Sequence, residues 1–273
     1  MAEKGCVLVL GLDELASAVS RRLLLGGYAV AMHAAAPPVV LRRRMAFSDA
    51  WHDGAATLAG VEARRIHSDT EFLAGLRGSM FVPVLAQRSL RAIARWPWEV
   101  LVDARQPPVP TDWEELVPDL SIVLGPGAEA GSDCDIVIET GGNDPGAVIR
   151  NGSARTTAAA EHECLVPAPA DGLFHAEAEI GDLVAPGDML GFVGAVPLVA
   201  SVAGRLCGLL RSGQSVRLGD AAAEIAASRS APVDAIRRKH RTIARSVEFT
   251  IDMESQGGSG EIWTPRTGFR RPT

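Results

Sequence analysis

The chain contains very little lysine and few aromatic residues. Of its 27 basic residues only Lys4 and Lys239 are lysines, and aromatic residues make up 5% of the 273 positions. So few lysines leave almost no amine to which a cofactor could be attached covalently. Because the apolar fraction is nevertheless 47%, we expect aliphatic cores of valine, leucine and alanine. The length is enough for roughly two domains.

Paired cysteines, long apolar runs and net positive charge are also missing. The four cysteines are scattered without a CxxC motif, which favours reduced thiols over a disulfide framework. No run reaches the ~18 consecutive apolar residues that a membrane span needs, and no cleavable leader precedes Cys6. The net charge of −6 argues against binding to nucleic acid. We therefore expect a cytoplasmic protein with neither nucleic acid nor a membrane as its partner.

An internal repeat is the clearest pattern that the sequence does contain. Equivalent residues recur 32 positions apart: Gly172 and Gly204, Gly181 and Gly213, Val184 and Val216, Gly187 and Gly219, Asp188 and Asp220, Val193 and Ile225. Each copy predicts short strands joined by glycine turns, and two copies can close one small β-sandwich. The pattern resembles the biotinyl/lipoyl barrel family, whose cofactor lysine lies in the hairpin between the halves. That hairpin, 194–198, has no lysine here, so biotin and lipoate are excluded as cofactors.

The N-terminal part has the pattern of a Rossmann-like domain. A short apolar run at Cys6–Leu10, helical spacing over Glu14–Leu25 and a second apolar run at Tyr28–Met32 predict a βαβ unit and hence a parallel sheet. The predicted fold class is therefore α/β, with a Rossmann-like parallel sheet domain followed by a small all-β barrel-sandwich hybrid of the biotinyl/lipoyl type.

The predicted domain boundaries follow from these patterns. The Rossmann-like domain is expected over 1–155 and the barrel without an acceptor lysine over 165–227. A basic segment with a helix, a strand and a flexible tail is expected over 228–273, because Val247, Phe249 and Ile251 alternate with polar residues.

The turn after the first strand does not match a dinucleotide site. Such a site needs Gly-x-Gly-x-x-Gly so that the backbone can approach a pyrophosphate. The chain instead has one glycine, Gly11, followed by the carboxylates Asp13 and Glu14. An NAD-dependent enzyme is thus the weakest of three hypotheses, and a scaffold with a degraded site is favoured.

Three other places could hold an anionic group. Three consecutive arginines, Arg42 to Arg44, could bind an anion through bidentate contacts, although a solvated turn is the favoured alternative. Asp103 and Arg105 follow a predicted strand, where sheets of parallel strands bind ligands. The turn 125–131 could present backbone amides to an anion or could simply connect two strands.

A family resemblance joins these places. Arg43-Arg44-x-x-Phe47-Ser48, Asp103-Ala-Arg105 and the run from Leu124-Gly-Pro-Gly127 to Glu139-Thr140 occur together ahead of the repeat. This combination resembles the YqeB-like accessory proteins of the selenium-dependent molybdenum hydroxylase system, which are akin to the maturation factors of xanthine dehydrogenase and CO dehydrogenase. The resemblance implies a cofactor-binding site with the following residues: Arg43, Arg44, Ser48, Asp103, Arg105, Gly125, Gly127, Gly131, Cys134 and Lys239.

The sequence also departs from that family. The first turn lacks the family's Gly-Ala-Gly-Asp pattern, and Ala244-Arg245-Ser246 replaces a triple-glycine turn that follows Lys239. Cys134 could handle a sulfurated cofactor, but a small buried cysteine is the commoner role. The His162-Glu-Cys164 cluster has no second set of ligands at metal-site spacing, so no metal site is predicted.

Three functions remain open on these grounds. The first is an accessory or maturation protein for a molybdenum hydroxylase, which binds an anionic cofactor, conceivably the molybdenum cofactor, or the apo-hydroxylase. The second is a non-catalytic scaffold or assembly subunit that docks onto another enzyme through the barrel and the basic C-terminal segment, with a homodimer as a further partner class. The third is the NAD-dependent enzyme. An enzymatic role is the less favoured outcome, since no paired acid and base, nucleophile triad or P-loop is found.

Overall fold

A computed structural model describes residues 4–78, 80–87, 90–109, 113, 116–155 and 164–257. The helices of this part are α1 (Glu14–Leu25), α2 (Asp49–Asp53), α3 (Asp69–Gly78) and α4 (Arg238–Gly257), with 3₁₀ turns at Arg43–Met45 and Leu90–Ile93. The first ten strands are β1 (Lys4–Leu10), β2 (Tyr28–Ala34), β3 (Ala55–Leu58), β4 (Val61–Arg65), β5 (Phe81–Ala86), β6 (Val100–Asp103), β7 (Leu120–Leu124), β8 (Glu129–Ala130), β9 (Ile136–Ile138) and β10 (Val148–Ile149). The remaining strands are β11 (Gly152–Ser153), β12 (Cys164–Pro167), β13 (Gly172–Ala176), β14 (Leu183–Val184), β15 (Met189–Val193), β16 (Val196–Val199), β17 (Gly204–Leu209), β18 (Ser215–Val216) and β19 (Ala221–Ala226).

One nine-stranded sheet organises the N-terminal part. Its order is β10-β9-β7-β6-β1-β2-β5-β4-β3, with β1 in the middle between β6 and β2. Both faces of the sheet are covered, because alternate residues of β1 belong to different cores. Val7 and Val9 pack in the core that includes α1 and α4. Leu8 and Leu10 pack in a second core, on the other face, with residues of α3 and with Trp98 and Trp113.

The predicted fold class, a Rossmann-like parallel sheet domain followed by a biotinyl/lipoyl-like barrel, is wrong. The large sheet is mixed, since β3 and β10 run antiparallel to their neighbours at its two edges, and strands far outnumber helices in the described residues. The sequence reading missed the β3–β4 hairpin, whose two-residue turn has positive φ at Ala59 and Gly60. A primed turn of this kind matches the twist of antiparallel strands.

The 32-residue repeat forms two four-stranded sheets that exchange strands. Their orders are β12-β19-β17-β14 and β16-β15-β13-β18. Each copy of the repeat contributes a long strand, a two-residue strand and a second long strand. The two-residue strand pairs with the other copy, β14 with β17 and β18 with β13. Neither copy can therefore complete a sheet without the other.

The C-terminal segment forms a helix and not the predicted strand. Ile243, Val247 and Ile251 follow one another at i+4 spacing and are all buried, whereas Phe249 is 64% exposed. The alternation of 247, 249 and 251 was thus a coincidence within a helical period. The predicted tail beyond 257 and the residues 156–163 between the first two predicted domains lie outside the described residues, so the domain boundaries remain a prediction.

Helix α4 returns the chain to the N-terminal sheet. It packs along α1, where Arg22 pairs with Glu248 at 2.5 Å, and Asp252 accepts hydrogen bonds from Lys4 at 2.7 Å and from Tyr28 at 2.6 Å. The β unit is therefore inserted between two parts of one N-terminal core.

The arginine run joins this core to the β unit. Arg42 forms a bidentate pair with Glu224 of β19, with Nε to Oε2 at 2.7 Å and Nη2 to Oε1 at 2.5 Å. Both side chains are buried. Backbone contacts strengthen the junction, because Leu209 donates to the carbonyl of Leu41 at 2.9 Å. Gly208 leaves room for this approach, since a Cβ there would lie 2.9 Å from Cβ of Leu41.

We expect Arg42→Met to destabilise the protein by about 3–5 kcal/mol, because the Glu224 carboxylate would remain buried without its partner. The double variant Arg42→Met, Glu224→Met should recover most of this loss, since it removes both charges. Chemical denaturation followed by circular dichroism measures the difference.

The matched control for that substitution is Arg64→Met. Arg64 pairs with Glu62 at 2.7 Å, but its side chain is 52% exposed, so the loss of stability should be much smaller than that of Arg42→Met. Equal losses for the two single variants would contradict the structural role of the Arg42–Glu224 pair.

Candidate functional site

A cavity of about 590 Å³ opens at the carboxyl ends of β1, β2 and β6. In sheets of parallel strands this edge is the usual ligand site, especially where neighbouring connections leave in opposite directions. The lining residues come from the ends of these strands and the segments that follow them: Gly11, Leu12, Asp13, His33, Ala34, Ala35, Ala36, Pro38, Val39, Val40, Leu90, Arg105 and Gln106.

The turn from β1 into α1 forms one side of the cavity. Gly11 has φ of +113°, and a Cβ there would lie 3.6 Å from the backbone of Ala104 and Arg105. Glycine is thus required by the backbone conformation at this turn. Asp13 is the N-cap of α1, and its Oδ1 accepts from the backbone amide of Ala16 at 2.8 Å. Burial raises the pKa of Asp13, while hydrogen bonds from the helix amides and the charge of Arg237 oppose that shift.

Asp103 and Arg105 form the opposite side. Asp103 is fully buried, and its Oδ1 accepts from Nε of Arg105 at 2.9 Å while Oδ2 accepts from Nη2 at 2.7 Å. Trp113 also donates to Oδ2 of Asp103 at 3.2 Å. Arg105 itself reaches the carbonyl of Val109. Asp103 and Arg105, which the sequence analysis proposed as ligand-binding residues, thus pair with each other, and their charges largely cancel.

His33 and Gln106 complete the polar lining. Nε2 of His33 lies 2.7 Å from the carbonyl oxygen of Gln87, which can only accept, so this nitrogen carries a proton. The side-chain amide of Gln106 donates to the carbonyl of Leu124 at 3.1 Å. Sequence reasoning missed both residues as site residues. Their positions could have indicated this role, because His33 lies at the end of β2 and Gln106 lies a few residues after the end of β6.

Arg43, Arg44 and Ser48 do not line this cavity. Arg43 donates to the carbonyl of Leu209 at 3.0 Å and to Asp49 at 2.8 Å, and Arg44 donates to the carbonyl of Ile180 at 2.6 Å. Ser48 is buried at the start of α2, and its hydroxyl has no hydrogen-bond partner among the described residues. The two arginines hold the β unit in place.

The turn 125–131 uses several of its amides internally. Gly125 donates to the carbonyl of Ile138 at 2.8 Å, Glu129 donates to Asp133 at 2.9 Å, and Gly131 donates to the carbonyl of Cys134 at 2.8 Å. Glycine is needed at 125, since a Cβ there would lie 2.6 Å from Oγ1 of Thr140. The conformation of Gly127, with φ of +113°, is likewise one that other residues rarely adopt. These glycines therefore shape a strand connection.

Lys239 lies at the start of α4, beside a group of charges that the sequence did not reveal. His240 is buried there, and Glu14 lies 3.2 Å from Arg237. Burial, together with the positive charges of Arg237 and Lys239, lowers the pKa of His240 to about 3. The imidazole is thus neutral at physiological pH. Burial raises the pKa of Glu14, against the opposing effect of Arg237.

Of the predicted site residues only Arg105 lines the cavity, with Asp103 directly beneath it. The arginines of the run face the β unit, the glycine turn lies beyond β7, and Lys239 is on α4. Within the described residues no group of three histidine, cysteine or acidic side chains could hold a metal ion. Nor does any described helix have the length and apolar character to cross a membrane.

The comparisons with known proteins support part of the predicted resemblance. No family model matches the chain. It is 31% identical over 226 residues to the uncharacterized protein YqeB of Escherichia coli K12, a match that covers 78% of this chain and 42% of that protein. The chain is thus YqeB-like over the matched residues, and it spans less than half the length of this relative.

A search of solved structures gives a succinylglutamate desuccinylase from Silicibacter sp. TM1040. That crystal structure shares 15% identity, with 77% of this chain and 61% of the other covered, at a TM-score of 0.23. A score this low supports no conclusion about fold or activity.

Cys134 should be unreactive in the folded protein. Burial, reinforced by Asp135 and Asp133, raises the pKa of this thiol to about 12, so at pH 8 it is almost entirely protonated, whereas the thiolate is the reactive form. We expect iodoacetamide at pH 8 to modify Cys134 about a hundredfold or more slowly in the folded than in the denatured chain. Peptide mass spectrometry over a time course measures both rates.

Cys164 is the control within the same molecule, because it is half-buried on β12. It should be modified well before Cys134. Equal rates at the two positions in the folded protein would contradict the protected state of Cys134 and favour its predicted role in handling a sulfurated cofactor.

Proposed function

We propose that this chain is an accessory protein of a molybdenum hydroxylase and acts by binding the apo-enzyme. The motifs that resemble the accessory family support the hydroxylase as the client, and the similarity to the uncharacterized protein YqeB supports the YqeB-like part of that resemblance. The relationship to the maturation factors of xanthine dehydrogenase and CO dehydrogenase belongs to the same proposal. Any activity of the whole relative also belongs to this proposal, because the chain corresponds to only 42% of that protein's length.

An anionic cofactor does not fit the residues that sequence reasoning assigned to it. The guanidinium groups of Arg43 and Arg44 are bound to Asp49 and to backbone carbonyls, and Arg105 is bound to Asp103. Three amides of the turn 125–131 have acceptors within the protein. A ligand would have to share or displace these contacts. Binding of the molybdenum cofactor at these residues is therefore not part of the proposed function.

The proposed docking surface for the apo-enzyme is the open face of one β-sheet. In the sheet β16-β15-β13-β18, the register pairs His175 with Phe192 and Phe192 with Pro197 across three strands. Because side chains alternate along a strand, Leu173 and Val199 lie on this same face. Leu173 is 51% and Val199 is 41% exposed. The inward-facing residues, such as Phe174 and Leu198, form the core of the β unit.

The outer face of the other sheet is partly covered by the N-terminal core, although Leu165 and Leu183 remain exposed on it. Its strand β19 carries Glu224, which Arg42 covers, and β17 receives the backbone of Leu41. One outer face is therefore used to hold the chain together, and the opposite one is left for a partner. Exposed apolar patches of this kind commonly mark protein–protein contacts. A general scaffold protein that docks onto another enzyme would use the same face. The accessory function and the scaffold function therefore differ in which enzyme binds there.

The test is co-purification of the full chain with the apo form of a molybdenum hydroxylase from the same cell. We expect a complex with the wild-type chain, and we expect Leu173→Glu to weaken it about tenfold or more, because a charge would be buried at the interface. Size-exclusion chromatography and titration calorimetry measure complex formation.

Leu165→Glu is the matched control. Leu165 is 41% exposed, comparable with Leu173, but it lies on β12 in the other sheet. It should leave the affinity within about twofold, since exposed substitutions outside an interface have small effects. Equal weakening by both substitutions would rule out this face, and failure of the wild-type chain to bind the apo-hydroxylase would contradict the proposed function. Self-association through the face would favour a homodimer.

A further inference from the structure

The cavity at the ends of β1, β2 and β6 has no part in the docking function. Its volume of about 590 Å³ lies within the roughly 300–1,000 Å³ range of small-molecule sites. Its walls come from the strand ends, the start of α1 and the segments that follow β2 and β6, and small side chains at Ala34, Ala35 and Ala36 leave it wide. Such a cavity can hold a ligand of one or two rings.

The charges around this cavity are unfavourable for an anion. Of the described residues that line it, Asp13 and Arg105 are charged. The positive charge of Arg105 is balanced by the buried Asp103, to which it donates two side-chain hydrogen bonds. Among the described lining residues, the carboxylate of Asp13 is therefore the charge that no other lining residue balances. A phosphate that entered the cavity would be repelled, whereas a cation or a neutral N–H donor would not.

The helix start next to the cavity is also already occupied. The N-terminus of a helix binds phosphate because its first amides lack partners within the helix. Here the Asp13 carboxylate accepts from the amide of Ala16 at 2.8 Å. Asp13 thus fills the position that a phosphate oxygen would otherwise take. This explains why the turn carries an acid in place of the glycines of a dinucleotide site.

The remaining wall is apolar. Leu12, Val40 and Leu90 provide aliphatic contact area, and the Pro38 to Val40 segment narrows one side. Apolar walls combined with one carboxylate acceptor suit a flat heteroaromatic ring that carries N–H groups. We propose that this cavity binds an uncharged, N–H-bearing heteroaromatic compound of nucleoside size and discriminates against the corresponding phosphate ester.

Titration calorimetry with the full chain tests this inference, using adenosine and guanosine as probes, each beside its own 5′-monophosphate. We expect at least one nucleoside to bind about tenfold or more tightly than its monophosphate, equivalent to about 1.4 kcal/mol. The inference does not depend on the proposed function, because no hydroxylase is present in the experiment.

Two variants connect the result to this cavity. Asp13→Asn keeps a good N-cap but removes the charge, so the preference for the nucleoside should fall to about threefold or less. Ala36→Trp places a large ring at the exposed rim of the cavity and should weaken nucleoside binding about tenfold. The control is Asp69→Asn, the same substitution at the first residue of α3, outside the cavity lining, which should change neither value.

Three results would overturn the proposal. One is equal or tighter binding of the monophosphate to the wild-type chain, and another is the absence of binding by both nucleosides at millimolar concentration. The third is nucleoside binding that Ala36→Trp leaves unchanged, since the ligand would then lie elsewhere. Circular dichroism of each variant verifies that it is folded.

Discussion

The buried ion pair between Arg42 and Glu224 is the interaction on which the arrangement of the chain depends. Two charges removed from water are tolerated only when each satisfies the other, and the bidentate geometry does this. The pair fixes the position of β19 relative to the segment after β2. Because a displaced partner would leave a buried charge, the two parts of the molecule cannot slide past one another without a large cost.

This junction also shapes the cavity. The segment that carries Arg42 begins at Pro38, and Pro38, Val39 and Val40 form part of the cavity wall. The side chain of Gln214 donates to the carbonyl of Pro38 at 2.9 Å, and Leu209 donates to the carbonyl of Leu41. One short segment is therefore both the connector to the β unit and a wall of the site. The contact between Gln214 and Pro38 therefore links the β unit directly to a residue that lines the cavity.

Local elements were accessible from sequence, but long-range pairing was not. The apolar spacing over Glu14–Leu25 predicted α1 with its observed ends, because a helix face and a terminal Gly-Gly are local signals. The arginine run was ambiguous for the opposite reason. Whether Arg42 binds an anion or a carboxylate depends on Glu224, which is 182 positions away in sequence. Composition shows that a charge exists and says nothing about its partner.

The same limit applies to secondary structure when two periods overlap. In α4 the apolar residues at 243, 247 and 251 fit a helix, while 247, 249 and 251 alone fit a strand. Packing against α1 decides between them, since only the helix buries the first set and leaves Phe249 outside. The β3–β4 hairpin was missed because Ala59 adopts a positive φ that its residue type does not suggest. Tertiary contacts outweighed local preference in both places.

What the site can bind depends on which of its polar groups already have hydrogen-bond partners within the protein. Sequence reasoning selected residues whose chemistry suits an anion. In the fold, however, Arg43 and Arg44 bind carbonyls and Asp49, and Arg105 binds Asp103. A polar group held by the protein is unfavourable to displace, because its partner would be left unsatisfied. The proposed recognition surfaces are therefore the open sheet face of the β unit and the cavity at the ends of β1, β2 and β6, whereas the arginine run holds the fold together.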